Sequence, residues 1–207
     1  VVLSGAGIDV QGAWPAVGPN GNLYVSWVRW NPYSTGPIDI EVVRSTDGGA
    51  TFAAVGNPLT GGINPRASGP TASCGRPALN GNIRYLPSPQ ITVSPNGNVH
   101  VVYSRDPDSL NTGDVIDVYY RRSTDNGATW GAEVKLNDDA TTRDQFFPTI
   151  SAGPTGLLDP EIEVGVMRGA VVSQALSDSP STSSIAMNTP APNVPTSWIP
   201  TTFGWAS

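Results

Sequence analysis

Apolar and polar positions alternate with a period of two in WPAVGPNGNLYVSWVRW (14–30) and again in SPQITVSPNGNVHVVYSRD (88–106), and each run is interrupted by Pro-Asn-Gly-Asn. Period-two patterning puts successive side chains on opposite faces of a strand. Asn-Gly between two such runs predicts a tight hairpin, with both central residues at positive φ in a type I′ turn. Further alternating runs follow, IDIEVVRS (38–45) and VIDVYYRRS (115–123), and each passes through an Asp-Gly or Asp-Asn-Gly turn into TFAAVG (51–56) or TWGAEVKL (129–136). The simplest count is four strands per unit.

The unit recurs. RSTDGGATF (44–52) returns as RSTDNGATW (122–130), with Asp47 and Asp125 78 residues apart and Pro19 and Pro95 76 apart. A third unit begins at FFPTISAGPTG (146–156), where Pro148 and Pro154 keep the spacing of Pro89 and Pro95. It then departs from the pattern: LLDPEIEVGVMRGAVV follows, strand-like only in EIEVGV, and no third Asp–Gly turn precedes a Ser/Thr/Pro-rich tail (177–202). Repeated four-stranded antiparallel units are the sequence signature of a β-propeller, in which each unit is one blade.

Ser45-Thr46-Asp47-Gly48-Gly49-Ala50-Thr51-Phe52 and Ser123-Thr124-Asp125-Asn126-Gly127-Ala128-Thr129-Trp130 resemble Asp-boxes, the S-x-D-x-G-x-T-W turns of the sialidase (BNR-repeat) propellers; the resemblance covers residues 10–156. It implies an all-β fold of propeller blades, each of four antiparallel strands with an Asp-box turn. The blades fall at 10–60 and 83–137, a third begins at 146, and 157–207 is its irregular, unassigned continuation, so this chain carries a partial propeller of three blades. The Asp-box turns are architectural: the Asp side chain ties the turn, and Phe52 or Trp130 packs against a blade.

Composition narrows the function classes. The 23 Gly and 20 Pro, with 14% charged residues, favour short elements and tight turns over long helices. A net charge of −6, with 11 scattered basic residues, argues against a phosphate-binding surface and so against nucleic acid as a partner. No run approaches the roughly 20 apolar residues of a membrane span. The opening VVLSGAGIDV, without Met or a charged leader region, reads as a processed product or excised fragment. Cys74 is the single cysteine, which excludes an intrachain disulfide and cysteine-pair metal sites. An acidic, cysteine-poor chain rich in Asn, Thr, Ser and Gly suits an extracellular bacterial protein, secreted or at the cell surface.

Antiparallel alternation places the loops between second and third strands, and those between blades, on the face opposite the Asp-boxes. In sialidase-like propellers that face holds the binding site. Here it carries RWNPYSTGP (29–37), RDPDSLNTGD (105–114), the insertion 56–85 and NDDATTRDQF (137–146). Trp30 and Tyr33 offer flat faces to a sugar ring or peptide, and Arg29, Arg105 and Arg143 can hold carboxylates bidentately. Asp106, Asp108 and Asp144 add acceptors, as do Asp114 and Asp139. The structural alternative is that each Arg pairs with a nearby Asp and Trp30 covers a blade edge.

DPDSLNTGD is oxygen-rich, but Leu110 stands where calcium loops of the EF-hand type need Asp or Asn, and no metal site is assigned. His100 lies in a strand with no Ser, Cys or second His spaced to partner it. The sialidase resemblance implies an arginine triad, a Tyr–Glu nucleophilic pair and an Asp acid/base. Glu41 and Glu133 fall within strands and Glu161 and Glu163 in the aberrant third unit, so no catalytic residue and no cofactor is assigned. The chain reads as a non-catalytic sialidase-like module binding glycan or protein. A fragment of an exo-sialidase or related glycoside hydrolase is the alternative, and a structural module of a larger surface protein the second. Three blades cannot close a ring, which calls for further blades in a longer chain or for a homo-oligomer.

Overall fold

A computed structural model describes residues 3–5, 7–31, 37–63, 78–79, 83–84, 88–106, 116–137, 145–153, 161–168 and 170–177, and all regular structure among them is β. Among the described residues no helix is long and apolar enough to cross a membrane.

Blade one is an antiparallel sheet of β1 (Val10–Val17), β2 (Leu23–Trp30) and β3 (Ile38–Ser45) with a divided outer strand, β4 (Ala53–Ala54) and β5 (Leu59–Ile63), both paired to β3. Pro58, lacking an N–H, stands at the break. Within the insertion, β6 (Ala78–Leu79) pairs with β7 (Ile83–Arg84). Blade two runs β8 (Gln90–Val93), β9 (Val99–Arg105), β10 (Asp117–Ser123) and β11 (Val134–Lys135), ordered β11-β10-β9-β8. In the third sheet β13 (Glu161–Arg168) pairs with both β12 (Phe146–Ala152) and β14 (Ala170–Ser177).

The hairpins differ from the type I′ expectation. Gly18 and Ser94 donate to the carbonyls of Asn22 and Asn98 at 2.9 Å, closing three-residue Pro-Asn-Gly loops, and only Gly21 and Gly97 have positive φ. Pro is the reason: its fixed φ suits the first central position of a type I turn, leaving a single left-handed residue for Gly. Asn20 and Asn96 accept from the N–H two residues on, at 3.1 Å.

Each Asp-box is tied from within. Ser45 Oγ accepts from the N–H of Gly49 at 2.9 Å and donates to Asp47, whose Oδ1 accepts from the Thr51 N–H at 2.9 Å and whose Oδ2 accepts from the Thr51 hydroxyl. Ser123, Asp125, Gly127 and Thr129 repeat the set. The Thr129 hydroxyl, then its N–H, then Ser123 hold the Asp125 carboxyl down at about 2, and the corresponding groups push Asp47 well below the usual range. Both folded values lie below the unfolded value of about 3.9, so these carboxylates stabilise fully above about pH 5 and lose their contribution as pH falls toward 2. The double variant Asp47→Asn/Asp125→Asn is therefore expected to show a lower urea midpoint at pH 7 and a shallower loss of midpoint between about pH 4.5 and 2. An unchanged acid slope would assign the transition to other carboxylates.

The sheets stack face to face in chain order. Tyr24 and Val42 of blade one meet Ile91 and Val99 of blade two, while Ile40 and Leu59 meet Val101, Tyr103 and Tyr119. The opposite face of blade two, Val102 and Val118 with Leu136, covers Ile150 and Ala152 of β12. Sheets joined in sequence, each burying the next, are β-propeller blades, about three in this chain. The second Asp-box docks on blade one, not its own: Gly56 donates to the Gly127 carbonyl at 2.8 Å and receives the Trp130 indole N–H on its own carbonyl at 2.7 Å. Asn126, left-handed at φ 60, accepts from Arg44 on its carbonyl and from the Tyr24 hydroxyl on its side chain.

Candidate functional site

The end opposite the Asp-boxes carries, among the described residues, the C-terminal ends of β2 and β9 and the starts of β3, β10 and β12. Gln145, 1% exposed, donates its N–H to the Ile116 carbonyl, which pins the start of β12 beside the start of β10. Asn137 bridges from below: its amide group donates to Asp117 and to Gln145 Oε1, and its Oδ1 accepts from the Val118 N–H. Fully buried Asp117 is also paired with Lys135 at 2.7 Å.

Four of the eight candidate ligand residues fall among the described ones. Arg29 pairs with Glu41 at 3.2 Å, and the same carboxylate accepts the Trp27 indole N–H at 2.9 Å. Trp27 and Glu41 are register partners across β2 and β3, so the tie follows from the hairpin. Trp30 is 4% exposed, packs with Val28 and Ile38, and donates its backbone N–H to the Asp9 carbonyl. Its ring is part of the core and has no free face for a ligand. Asp106 is 5% exposed, and its carbonyl accepts from Arg105. Tyr33, Asp108, Arg143 and Asp144 lie outside the described residues, as do Asp114, Asp139, Cys74 and most of DPDSLNTGD.

Arg105 sits at the centre of a network between blades one and two. Its Nε donates to Glu133 Oε1 at 3.1 Å, its Nη2 to Oε2, and its guanidinium lies 4.3 Å from the centre of the Tyr119 ring. The Tyr103 hydroxyl donates to the same Glu133 Oε1. Glu133 precedes β11 instead of lying in a strand, which frees its side chain to reach back across the sheet. Burial raises the Glu133 carboxyl, but the hydrogen bonds from Arg105 and Tyr103 outweigh it and hold the group below its ordinary value. The bond to Glu133 raises Arg105 in turn. Burial first, then Glu133, pushes the Tyr103 hydroxyl far up, and burial takes Tyr119 to about 12.

The two arginines thus share one motif: an aromatic residue two positions earlier on the same strand and a Glu that ties both. Their partners are Glu, not the Asp of neighbouring loops. The Tyr103–Glu133 pair has the residue types of a Tyr–Glu nucleophile, but a nucleophile needs a lowered pKa and an open approach. Tyr103 is fully buried and its pKa moves upward. The pair is chemically a brace.

His100 also gains partners that spacing did not reveal: Ser94 Oγ lies 2.9 Å from Nε2 and the Tyr120 hydroxyl 2.7 Å from Nδ1. Ser94 and His100 are both fully buried, and Ser94 Oγ also bonds Asn96 at 2.6 Å, so this contact fixes the second hairpin against the sheet. Among the described residues no group of three or more His, Cys, Asp or Glu converges on a metal-sized space.

No protein-family model matches the chain, and no curated protein matches it in sequence. Among solved structures it is similar to a protein of unknown function from Dyadobacter fermentans, at 16% identity and TM-score 0.49 over 79% of this chain and 36% of that one. It is similar also to the GH93 α-L-arabinofuranosidase of Fusarium graminearum with arabinobiose, at 22% identity and TM-score 0.47 over 82% of this chain and 45% of that one. The Hadza microbial sialidase Hz136 gives 16% identity and TM-score 0.46 over 80% and 34%. The chain spans less than half the length of each of these structures.

Proposed function

We propose that the chain is an extracellular sialidase-like propeller module that binds glycan or protein without chemistry, through the loop face opposite the Asp-boxes. The observation that carries this reading is the commitment of both described arginines of that face. Arg105 is held bidentately by Glu133, which takes the fork that would grip a substrate carboxylate, and Arg29 is tied more loosely, by one bond to Glu41. Tyr103 and Glu133 are bound to each other between blades. The acidic, cysteine-poor composition supports an extracellular setting. Further blades, from a longer chain or a second copy, complete the ring in this reading.

The test uses one purified sample on an oligosaccharide array and on a fluorogenic sialoside. Binding to at least one glycan, with sialoside hydrolysis no faster than in buffer, is the expected result. Turnover would replace the reading by that of a glycosidase fragment, and a silent array would remove glycan from it.

A further inference from the structure

Among the described residues Asn-Gly occurs three times, at 20–21, 96–97 and 126–127, each time in a turn with the Gly left-handed. The step carries a chemical liability. With no side chain on Gly to hinder it, the Gly backbone nitrogen can lose its proton to solvent and attack the Asn Cγ. The N–Cγ bond forms as the carboxamide C–N bond breaks, ammonia leaves, and water opens the succinimide to aspartate or isoaspartate.

The reaction needs a Gly N–H that solvent reaches and a carboxamide that can turn, and the three sites differ in both. All three Asn are exposed, but Gly21 is exposed, Gly97 half-buried and Gly127 buried. Gly127 donates its N–H to Ser123 Oγ at 2.8 Å inside the Asp-box, and Asn126 is tied to blade one through Arg44 and Tyr24. The two Pro-Asn-Gly loops are a closer pair. Gly21 donates to the Gly18 carbonyl at 2.9 Å and Gly97 to that of Ser94 at 2.8 Å, and each Asn oxygen accepts from the N–H two residues on. They part at one position. Ser94 Oγ donates to the Asn96 oxygen at 2.6 Å and is itself held by His100 at 2.9 Å, whereas its counterpart in the first hairpin is Gly18, with no side chain to reach Asn20.

We propose that Asn20 is a site of spontaneous deamidation in the folded chain, while Ser94 guards Asn96 and the docked Asp-box guards Asn126. Isoaspartate lengthens the main chain by one methylene, which a three-residue loop closed by the Gly18–Asn22 bond does not accommodate. The event therefore loosens the first hairpin of blade one and adds a negative charge at its tip. A further blade ahead of blade one leaves the site open, because Asn96 stays exposed although blade one stacks against its sheet.

The purified chain is held folded in warm, mildly alkaline buffer, sampled over time, digested with trypsin and read by mass spectrometry for the amide-to-acid change. Cleavage after Arg29, Arg84, Arg105, Arg122 and Lys135 puts the three sites on separate peptides, 1–29, 85–105 and 123–135. One further hydrogen bond sets the scale: Asn20 is expected to convert at least about fivefold faster than Asn96 and Asn126. In urea, where the loops are lost, the three rates should agree within about threefold. Rates that are alike in the folded chain, or a ranking that persists in urea, would overturn the proposal. Ser94→Ala should bring Asn96 to the rate of Asn20 without moving Asn126. An Asn96 rate that is unchanged or slower in Ser94→Ala would remove Ser94 as the guard, and so would a rise at Asn126, which would place the protection in the blade stack as a whole.

Discussion

Glu133→Ala is expected to lower the unfolding free energy of the chain by about 2–3 kcal/mol. Removing one member of a buried ion pair costs about 3–5 kcal/mol because the other charge is left without a partner. The Arg105 and Glu133 side chains are 18% and 19% exposed, so water reclaims part of that cost. Tyr103 adds to it, since its hydroxyl is fully buried and Glu133 is its hydrogen-bond acceptor. The cation–π contact with the Tyr119 ring survives the substitution, still stabilises the Arg105 charge and so moderates the total. Because Tyr103, Arg105 and Glu133 act as one unit, Tyr103→Phe in the Glu133→Ala background should cost much less than Tyr103→Phe alone, a coupling of about 1 kcal/mol in a double-mutant cycle read by urea unfolding at pH 7. The looser Arg29–Glu41 pair, with Arg29 37% exposed, serves as the internal comparison. A loss below about 0.5 kcal/mol for Glu133→Ala would class the bridge with idle surface pairs and return Arg105 to the ligand face.

What could be read from the sequence was what the chain decides locally. The Asp-boxes close within five residues, Ser45 to Gly49 and Asp47 to Thr51, and every partner lies inside the repeated motif. The repeat then made each blade predictable from its neighbour. Asn-Gly marks where each hairpin lies but not its type, because the Pro before it fixes φ and turns a two-residue loop into a three-residue one. The Arg29–Glu41 tie was within reach, since the register that pairs Trp27 with Glu41 follows from the alternation on each side of the hairpin.

Other features depend on distance in sequence. Glu133 reaches Arg105 across 28 residues and from outside any strand, so neither periodicity nor spacing pointed to it. Ser94 reaches His100 around a hairpin whose three-residue loop sets the two side chains together. Trp30 stands next to a loop in the sequence, yet the even positions of β2 face blade two and bury it with Val28. The left-handed Phe147, at φ 50, is equally non-local, since its bulge exists only in the pairing of β12 with β13.

Gly56→Ala is expected to be at least as damaging as the loss of Glu133, at about 3 kcal/mol, for a reason confined to backbone. A Cβ on Gly56 would lie 2.3 Å from the Ala128 carbonyl oxygen and 2.9 Å from that of Gly127, distances that real Cβ atoms do not tolerate. Neither oxygen can withdraw cheaply, because both belong to the second Asp-box, whose turn is held by Ser123, Asp125 and Thr129. Blade one must move instead, and movement breaks the Gly56–Gly127 bond and the Trp130 indole bond to the Gly56 carbonyl. Overpacking alone costs about 1–3 kcal/mol, and two lost interblade bonds at about 1 kcal/mol each bring the total to the upper end or beyond. For a chain of this size the thermal midpoint should fall by about 6–12 °C. Gly131→Ala is the control, since its Cβ would stand 3.4 Å from the Arg122 carbonyl and should change stability by less than about 0.5 kcal/mol. If the two substitutions behave alike, the second Asp-box does not bear on blade one, and Trp130 contributes to its own blade only.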